Sequence, residues 1–325
     1  MRGGVLPPDR IERYGLFPSR KEPVLFFSPV RLRWLVACVA CVFAVTAACD
    51  RVRAPRATAL ELDDFADTVR TDTSATRIVS LSPVTTEILF ALGAGNRVVG
   101  RTHWDLYPDA ARAVTDVGNG MQPNVEAVLG LRPDLVVLYA STANRGAAKR
   151  LRSAGVATLA VRMDHIADFR RTVILLARAI GDTLAGNGLA DSVENSVRAV
   201  RARPRPAVPP TVFWFIWESP LYTIGRNSFM SELVEVAGAR NIFADLDAVS
   251  PQVTREEIVK RNPDFVLTGP ENATKLRASA AWQAVPAVRE GRILIVDTTL
   301  VGRPGVRLGE AARHLRALIL HDTLR

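Results

Sequence analysis

Cysteine is nearly absent from this 325-residue chain, and the three present, Cys38, Cys41 and Cys49, all fall within the first 49 positions. A disulfide linking distant parts of the body is therefore excluded. Cys38-x-x-Cys41 has redox or metal-ligand spacing, but no second pair completes it. Histidine is equally scarce: His103, His165, His314 and His321 show no H-E-x-x-H or paired spacing, and His103 with Asp105 stands isolated. No metal site is read from this set. G-x-S-x-G and the Walker loop are missing, so neither an elbow hydrolase nor a built-in ATPase is indicated, and no catalytic residue is assigned. No apolar run reaches the about 20 residues of a membrane span. Charge is not strongly one-sided. Basic residues number 42 against 33 acidic ones, and from Cys49 onward the balance is 35 to 30. That is too even for a nucleic-acid footprint, and no finger, basic zipper or RNA-binding aromatic motif occurs.

What is present is a globular composition, 48% hydrophobic and 23% charged, in a chain long enough for two compact units. Trp34 to Ala48 form an uncharged run preceded by Arg31 and Arg33 and closed by small residues and Cys49. A positive flank, a short apolar stretch and a small-residue end describe a secretory signal; a short transmembrane anchor is the alternative. Thr46-Ala47-Ala48-Cys49 resembles a bacterial lipobox, in which the cysteine is lipidated and becomes the first mature residue. A lipid on Cys49 anchors a protein to a membrane without spanning it. Residues 1–48 are thus read as the signal segment, with 1–30 an extension upstream of a start near Val30. Residues 49–75, rich in Arg, Ala, Asp and Thr, read as a lipid-anchored tether.

The body repeats itself. Arg77-Ile-Val-Ser-Leu-Ser-Pro83 is a short apolar run stopped by Ser82-Pro83, which starts a helix, and Gly93-Ala94-Gly95 ends that helix. A second strand covers Arg97 to Gly100. Asn124 caps a helix running to Leu131, Pro133-Asp134 breaks it, and Leu135 to Tyr139 form a buried strand. A helix over 145–154 and a strand over 156–161 follow. The pattern then recurs: a strand at Val212 to Trp217, a helix at Ser228 to Ala237 ended by Gly238, a helix at Glu256 to Arg261, then Asn262-Pro263-Asp264 and a strand at Phe265 to Leu267. The Glu-to-Pro spacing is the same in Glu126…Pro133 and Glu256…Pro263. A duplicated strand–helix–strand unit implies two similar α/β lobes with parallel sheets. Between them, Asp168 to about Arg203 carries apolar residues at helical spacing, and Pro204, Pro206, Pro209 and Pro210 stop it. One or two long helices therefore join the lobes, with Gly181, Gly186 and Gly188 as candidate kinks.

These features together resemble the cobalamin- and ferric-siderophore-type periplasmic binding proteins, the helical-backbone solute receptors of ABC importers. The matching segments are RIVSLSPVTTEILFALGAGNRVVG (77–100), THWDLYP (102–108), PNVEAVLGLRPDLVV (123–137), LRSAGV (151–156), VFWFIW (212–217) and PQVTREEIVKRNPDFVL (251–267). The resemblance runs from about residue 76 to the C-terminus and is greatest to the cobalamin receptor. It implies an α/β fold of two Rossmann-like lobes, 76–165 and 206–325, joined by a long backbone helix within 166–205. The ligand is expected in the cleft between the lobes, held without a resident cofactor and without catalysis. The expected ligand is cobalamin or a related corrinoid, with a ferric siderophore or haem as the alternative. The expected partners are a permease and its ATPase, the expected state is a monomer, and the expected location is exported and membrane-anchored.

A flat chelate wants ring walls and a few polar groups. Trp104, Tyr139, Trp217 and Tyr222 fall at such positions, and Arg303 matches a basic residue near the cleft. Trp214 and Trp282 read as core. Ser250 and the segment 118–122 lack tryptophans that the cobalamin receptor has, while Arg101, Arg226 and Arg303 suit an anionic chelate. The resemblance also implies one permease-docking carboxylate on each lobe. Glu256 matches in the second lobe, with Glu257 beside it. In the first lobe Arg145 stands at the aligned position, no Asp or Glu occurs from Leu135 to Met163, and Glu126 is the repeat equivalent of Glu256.

Overall fold

The structure, a computed structural model, describes residues 61–69 and 74–321. The signal segment, Cys49 and the tether up to residue 60 lie outside the described residues.

The first lobe opens on the short strands β1 (Glu61–Leu62) and β2 (Thr68–Val69), followed by β3 (Ile78–Ser80). It continues through α1 (Pro83–Ala91), β4 (Val98–Gly100), α2 (Val125–Gly130), β5 (Leu135–Tyr139), α3 (Thr142–Ser153) and β6 (Ala157–Val161). Helices α4 (Asp168–Ile180) and α5 (Thr183–Arg201) connect the lobes. The second lobe runs β7 (Thr211–Trp214), β8 (Trp217–Glu218), β9 (Leu221–Tyr222), α6 (Phe229–Val236), β10 (Arg240–Asn241), α7 (Arg255–Arg261) and β11 (Phe265–Thr268). It ends with α8 (Pro270–Ala278), α9 (Pro286–Arg289), β12 (Ile293–Ile295), α10 (Thr298–Val301) and α11 (Leu308–Leu320).

Both main sheets are parallel, ordered β4-β3-β5-β6 and β10-β7-β11-β12. In each, the lobe's second strand lies beside the first, then come the third and fourth. The duplication read from the sequence is thus a duplication of topology. The recurring Pro-Asp has a recurring task. Asp134 accepts hydrogen bonds from Thr76 N (2.8 Å) and Oγ1 (2.7 Å), and Asp264 accepts from Thr211 N (2.7 Å) and Oγ1 (2.8 Å). Each aspartate pins the start of its lobe's first strand beside the third. Central strands buried on both faces explain the continuous apolar runs.

Local signals act as read, with differences at the ends. Asn124 caps α2 by accepting from Ala127 N (3.0 Å). Thr254 and Glu257 form a reciprocal capping box on α7. Pro83 opens α1, but the Ser82 side chain makes no cap; its carbonyl takes the Thr85 hydroxyl instead (3.0 Å). The strand expected to Trp217 stops at Trp214, because the chain turns into the β8–β9 hairpin.

The connection consists of two helices. Gly181, at φ 82°, closes α4 in the left-handed region, and Asp182 caps α5 by accepting from Ala185 N (3.0 Å). Gly186 is no kink. It lies within α5 where a Cβ would come 2.4 Å from the Ala177 side chain, so its missing side chain lets α5 approach α4.

The expected tether ends earlier than residue 75. Residues 61–69 fold as a hairpin strap on the edge strand β6. Phe65 and Asp63 are buried; Asp63 accepts from Ala160 N (3.0 Å), and Asp64 N donates back to the Ala160 carbonyl (2.9 Å). Arg171 and Arg152 add ion pairs to Asp64 and Asp67, each at 2.7 Å. A polar composition hid a segment whose acids answer a basic face. No helix among the described residues is long and apolar enough to cross a membrane.

Candidate functional site between the lobes

The loops at the carboxyl ends of the two parallel sheets meet, as expected for a ligand crevice in an open α/β sheet. On the first lobe they follow β4 (Trp104), β5 (whose last residue is Tyr139) and β6 (Arg162 to His165). On the second they follow β7 (Trp217), precede α6 (Asn227) and follow β12 (Arg303). A recess of about 470 Å³ lies there, lined by Arg162, Asp164, His165 and Asp168, by Asp64 of the strap, and by Asn227 and Val249 of the second lobe. A second hollow, of about 680 Å³, contains Arg203, Arg205 and His321; it sits where the chain enters β7, at the amino end of that strand.

Trp104 and Trp217 are 58% and 62% exposed. Neither lines that recess; they stand on loops at the carboxyl ends of the two sheets, where exposed apolar surface suits a binding partner. Trp104 packs beside the His103 ring, with centroids 4.6 Å apart. The loop beneath it is held by Asp105, which is fully buried and accepts from the Thr86 hydroxyl (2.5 Å) and the Thr102 hydroxyl. Burial pushes the Asp105 carboxyl up, and those hydroxyls pull it back. Its two oxygens are thus engaged by Thr86 of α1 and Thr102 of the loop. Arg303 donates to the Trp104 carbonyl (2.6 Å).

Trp217 and Tyr222 face each other as partners in the β8–β9 hairpin, and Trp217 Nε1 donates to the Ser219 carbonyl (3.0 Å). Tyr139 is half-buried, and its hydroxyl donates to Asp164 Oδ1 (2.6 Å). Burial, then that bond, raises its pKa above the ordinary 10, so it stays a neutral phenol. The predicted residues therefore form three local groups: Trp104 with Arg303, Trp217 with Tyr222, and Tyr139 alone with Asp164. Among the described residues no hydrogen bond or ring contact links one group to another. Trp214 and Trp282 are core, as expected; Trp282 packs on Phe213 and Phe215 and donates to Glu218 (3.0 Å).

Sequence reasoning missed several residues. Where tryptophans of the cobalamin receptor are lacking, Met121 and Val249 stand exposed and supply apolar surface without rings. Tyr107 is exposed, with the Arg307 guanidinium 3.8 Å from its ring centre. Glu87 lies on α1. It is 1% exposed and lies within reach of Arg307 (3.2 Å) and Arg303 (3.5 Å), both from the second lobe. Burial pushes its pKa up and the two arginines pull it down, with burial prevailing. At the other side, His165 Nδ1 lies 2.5 Å from Glu232 Oε1, and Ile166 N donates to Glu232 Oε2 (2.9 Å). A carboxylate amid an apolar helix, as in Val84-Thr85-Thr86-Glu87-Ile88-Leu89, was the available signal.

Of the arginines suited to an anionic chelate, all three are engaged by the protein. Arg101 donates to the Thr102 carbonyl (2.7 Å), Arg226 pairs with Asp247 (2.9 Å), and Arg303 serves Glu87 and Trp104. Glu256 and Glu126 are both exposed, each the second residue of its helix, α7 and α2. Glu257 is used in the capping box. Arg145 lies 4.4 Å from the Phe65 ring centre and donates to the Phe65 carbonyl (3.3 Å), so its position belongs to the strap.

Two lobes of one topology with a cleft at their sheet ends define a bilobal ligand receptor. The chain belongs to the periplasmic binding protein family, whose model matches residues 78–300. It is 34% identical over 257 residues to an ABC transporter substrate-binding lipoprotein of Bacillus subtilis, covering 77% of this chain and 81% of that protein. It is 32% identical to a cobalamin-binding protein of Halobacterium salinarum, covering 78% and 71%. Among solved structures, the apo periplasmic heme-binding protein RhuT of Roseiflexus is similar with a TM-score of 0.69 at 28% identity, over 77% of this chain and 99% of that one.

Proposed function

We propose that the protein is the exported substrate-binding component of an ABC importer, which captures cobalamin or a related corrinoid and hands it unchanged to a membrane permease. The observation that carries this is the pair of exposed tryptophans, Trp104 and Trp217, at the carboxyl ends of two duplicated sheets. Flat hydrophobic rings on opposed lobes suit a broad macrocycle. The named relatives support the reading: one is a substrate-binding lipoprotein and one binds cobalamin. The lipoprotein relative also supports lipidation at Cys49 and retention at a membrane. Haem or a ferric siderophore is the second reading, favoured by the likeness to the Roseiflexus structure. Engagement of Arg101, Arg226 and Arg303 by protein groups favours the neutral, amide-bearing corrinoid over an anionic chelate.

Calorimetric titration with cyanocobalamin, haemin and a ferric siderophore tests this. Saturable binding of cyanocobalamin at about 1 μM or tighter is expected. Saturation by an iron chelate alone moves the ligand to iron, and heat from none contradicts the receptor reading.

For delivery, Glu256 and its repeat equivalent Glu126 are the proposed contacts to the permease, one exposed carboxylate per lobe. Glu126→Arg or Glu256→Arg is expected to cut cellular uptake while leaving ligand affinity unchanged. Equal loss of both would argue against a docking role.

A further inference from the structure

The two inter-lobe carboxylates are copies of one another. Glu87 stands six residues before Gly93, and Glu232 stands six residues before Gly238. Both glycines have positive φ, 76° and 94°, and each follows the helix that comes after its lobe's first strand. Each glutamate reaches the segment that follows the opposite lobe's fourth strand. Glu87 meets Arg303 and Arg307, beyond β12; Glu232 meets His165, beyond β6. The sheet orders place β4 and β6 at opposite edges of the first sheet. Trp104, which follows β4, shares Arg303 with Glu87, whereas the chain leaves for the connecting helices through His165. The lobes are thus bridged at two places, once where the chain leaves for the connecting helices and once through Glu87 and its two arginines.

We infer that Glu87 and Glu232 are matched positioning residues that set the opening of the ligand cleft, Glu87 acting as the clasp onto Arg303 and Arg307. Three observations place Glu87 in that role. It is almost fully buried, and Gly305 of the second lobe leaves room for it, since a Cβ there would lie 2.6 Å from Glu87 Oε2. Its two arginines also grip the first lobe elsewhere, Arg303 at the Trp104 carbonyl and Arg307 on the Tyr107 ring. Removing one partner of such a buried set leaves charges unpaired, which favours separation of the surfaces. The two bridges also differ in chemistry. Arginine holds its charge at all relevant pH, while His165 titrates. The groups facing His165 are Glu232 on α6, Asp168 on α4 and Asp164 on its own loop; bonding to Glu232 raises its pKa. The His165–Glu232 contact therefore weakens as pH rises, and the Glu87 clasp does not.

The test needs no ligand for its first arm. Spin labels at Lys149→Cys and Lys275→Cys, exposed on α3 and α8, report the inter-lobe distance in a background whose native cysteines are serine. Glu87→Gln is expected to lengthen and broaden that distance, and the double variant with Glu232→Gln to do so further. The second arm rests on the cobalamin reading and uses cyanocobalamin. Glu87→Gln should release it about tenfold faster. Release from Glu87→Gln should quicken further from about pH 6 to about pH 8.5, the wild type should change little, and the double variant should lose this pH dependence. Unchanged distances in Glu87→Gln and the double variant would overturn the inference, even if melting temperatures fall. If Glu87→Gln does not fold, Arg303→Gln with Arg307→Gln removes the same contacts from the other lobe and is read identically. Absence of cyanocobalamin binding by the wild type contradicts the ligand reading and leaves the distance arm to decide the clasp.

Discussion

Individual side chains divide sharply into those that hold the fold and those left to hold something else. Trp282 is fully enclosed among Phe213, Phe215 and Phe243. Trp282→Ala should cost about 3–5 kcal/mol of stability, read by urea unfolding. Trp104 and Trp217 bury little, and their replacement should change stability by at most about 0.5 kcal/mol. His165 shows a second division. Its pairing with Glu232 raises its folded pKa above the ordinary 6.5. The stability this pair contributes is fully present below pH 6.5 and is lost as pH rises through the raised value. The melting temperature of the wild type should therefore exceed that of Glu232→Gln by more at about pH 6 than at about pH 8.5. An equal gap at both would show that the imidazole is not the group involved. None of this pairing was legible in the sequence, because His165 and Glu232 are far apart in the chain and no local spacing ties them.

Elements were largely legible. Period, capping residues and the Pro-Asp breaks placed the central strands β5 and β11 and helices α2 and α7 within a residue or two, since these signals act over a single turn or strand. The misreadings have tertiary causes. The strap reads as tether because its polar residues find their partners on β6, α3 and α4, far away in the chain. Gly186 reads as a kink in the sequence because its purpose is a neighbour, Ala177, and not its own backbone. This gives a prediction of opposite signs within one helix. Gly186→Ala must push against Ala177 and should destabilise, by about 1–3 kcal/mol. Gly188→Ala meets nothing within 4 Å and should stabilise, by about 0.5–1 kcal/mol. Thermal denaturation of the two variants distinguishes them.

At the scale of the molecule, the duplication carries the argument. One strand order occurs twice, one Pro-Asp pin occurs twice, and one inter-lobe glutamate occurs twice. The fold class followed from the repeat before any coordinates, because a repeat of strand–helix–strand units has few ways to bury itself. The site was half legible. Exposed aromatics at strand ends are legible in the sequence, while Val249 and the clasp are not, since only the folded loops bring them to the cleft. The central claim is that both lobes close on one ligand through their exposed tryptophans. Tryptophan fluorescence during titration with cyanocobalamin tests it directly, using the wild type, Trp104→Phe and Trp217→Phe. Saturable quenching is expected in the wild type, with part of it lost in each variant. Full quenching retained in both variants, or no response to cyanocobalamin, haemin or a ferric siderophore, would contradict it.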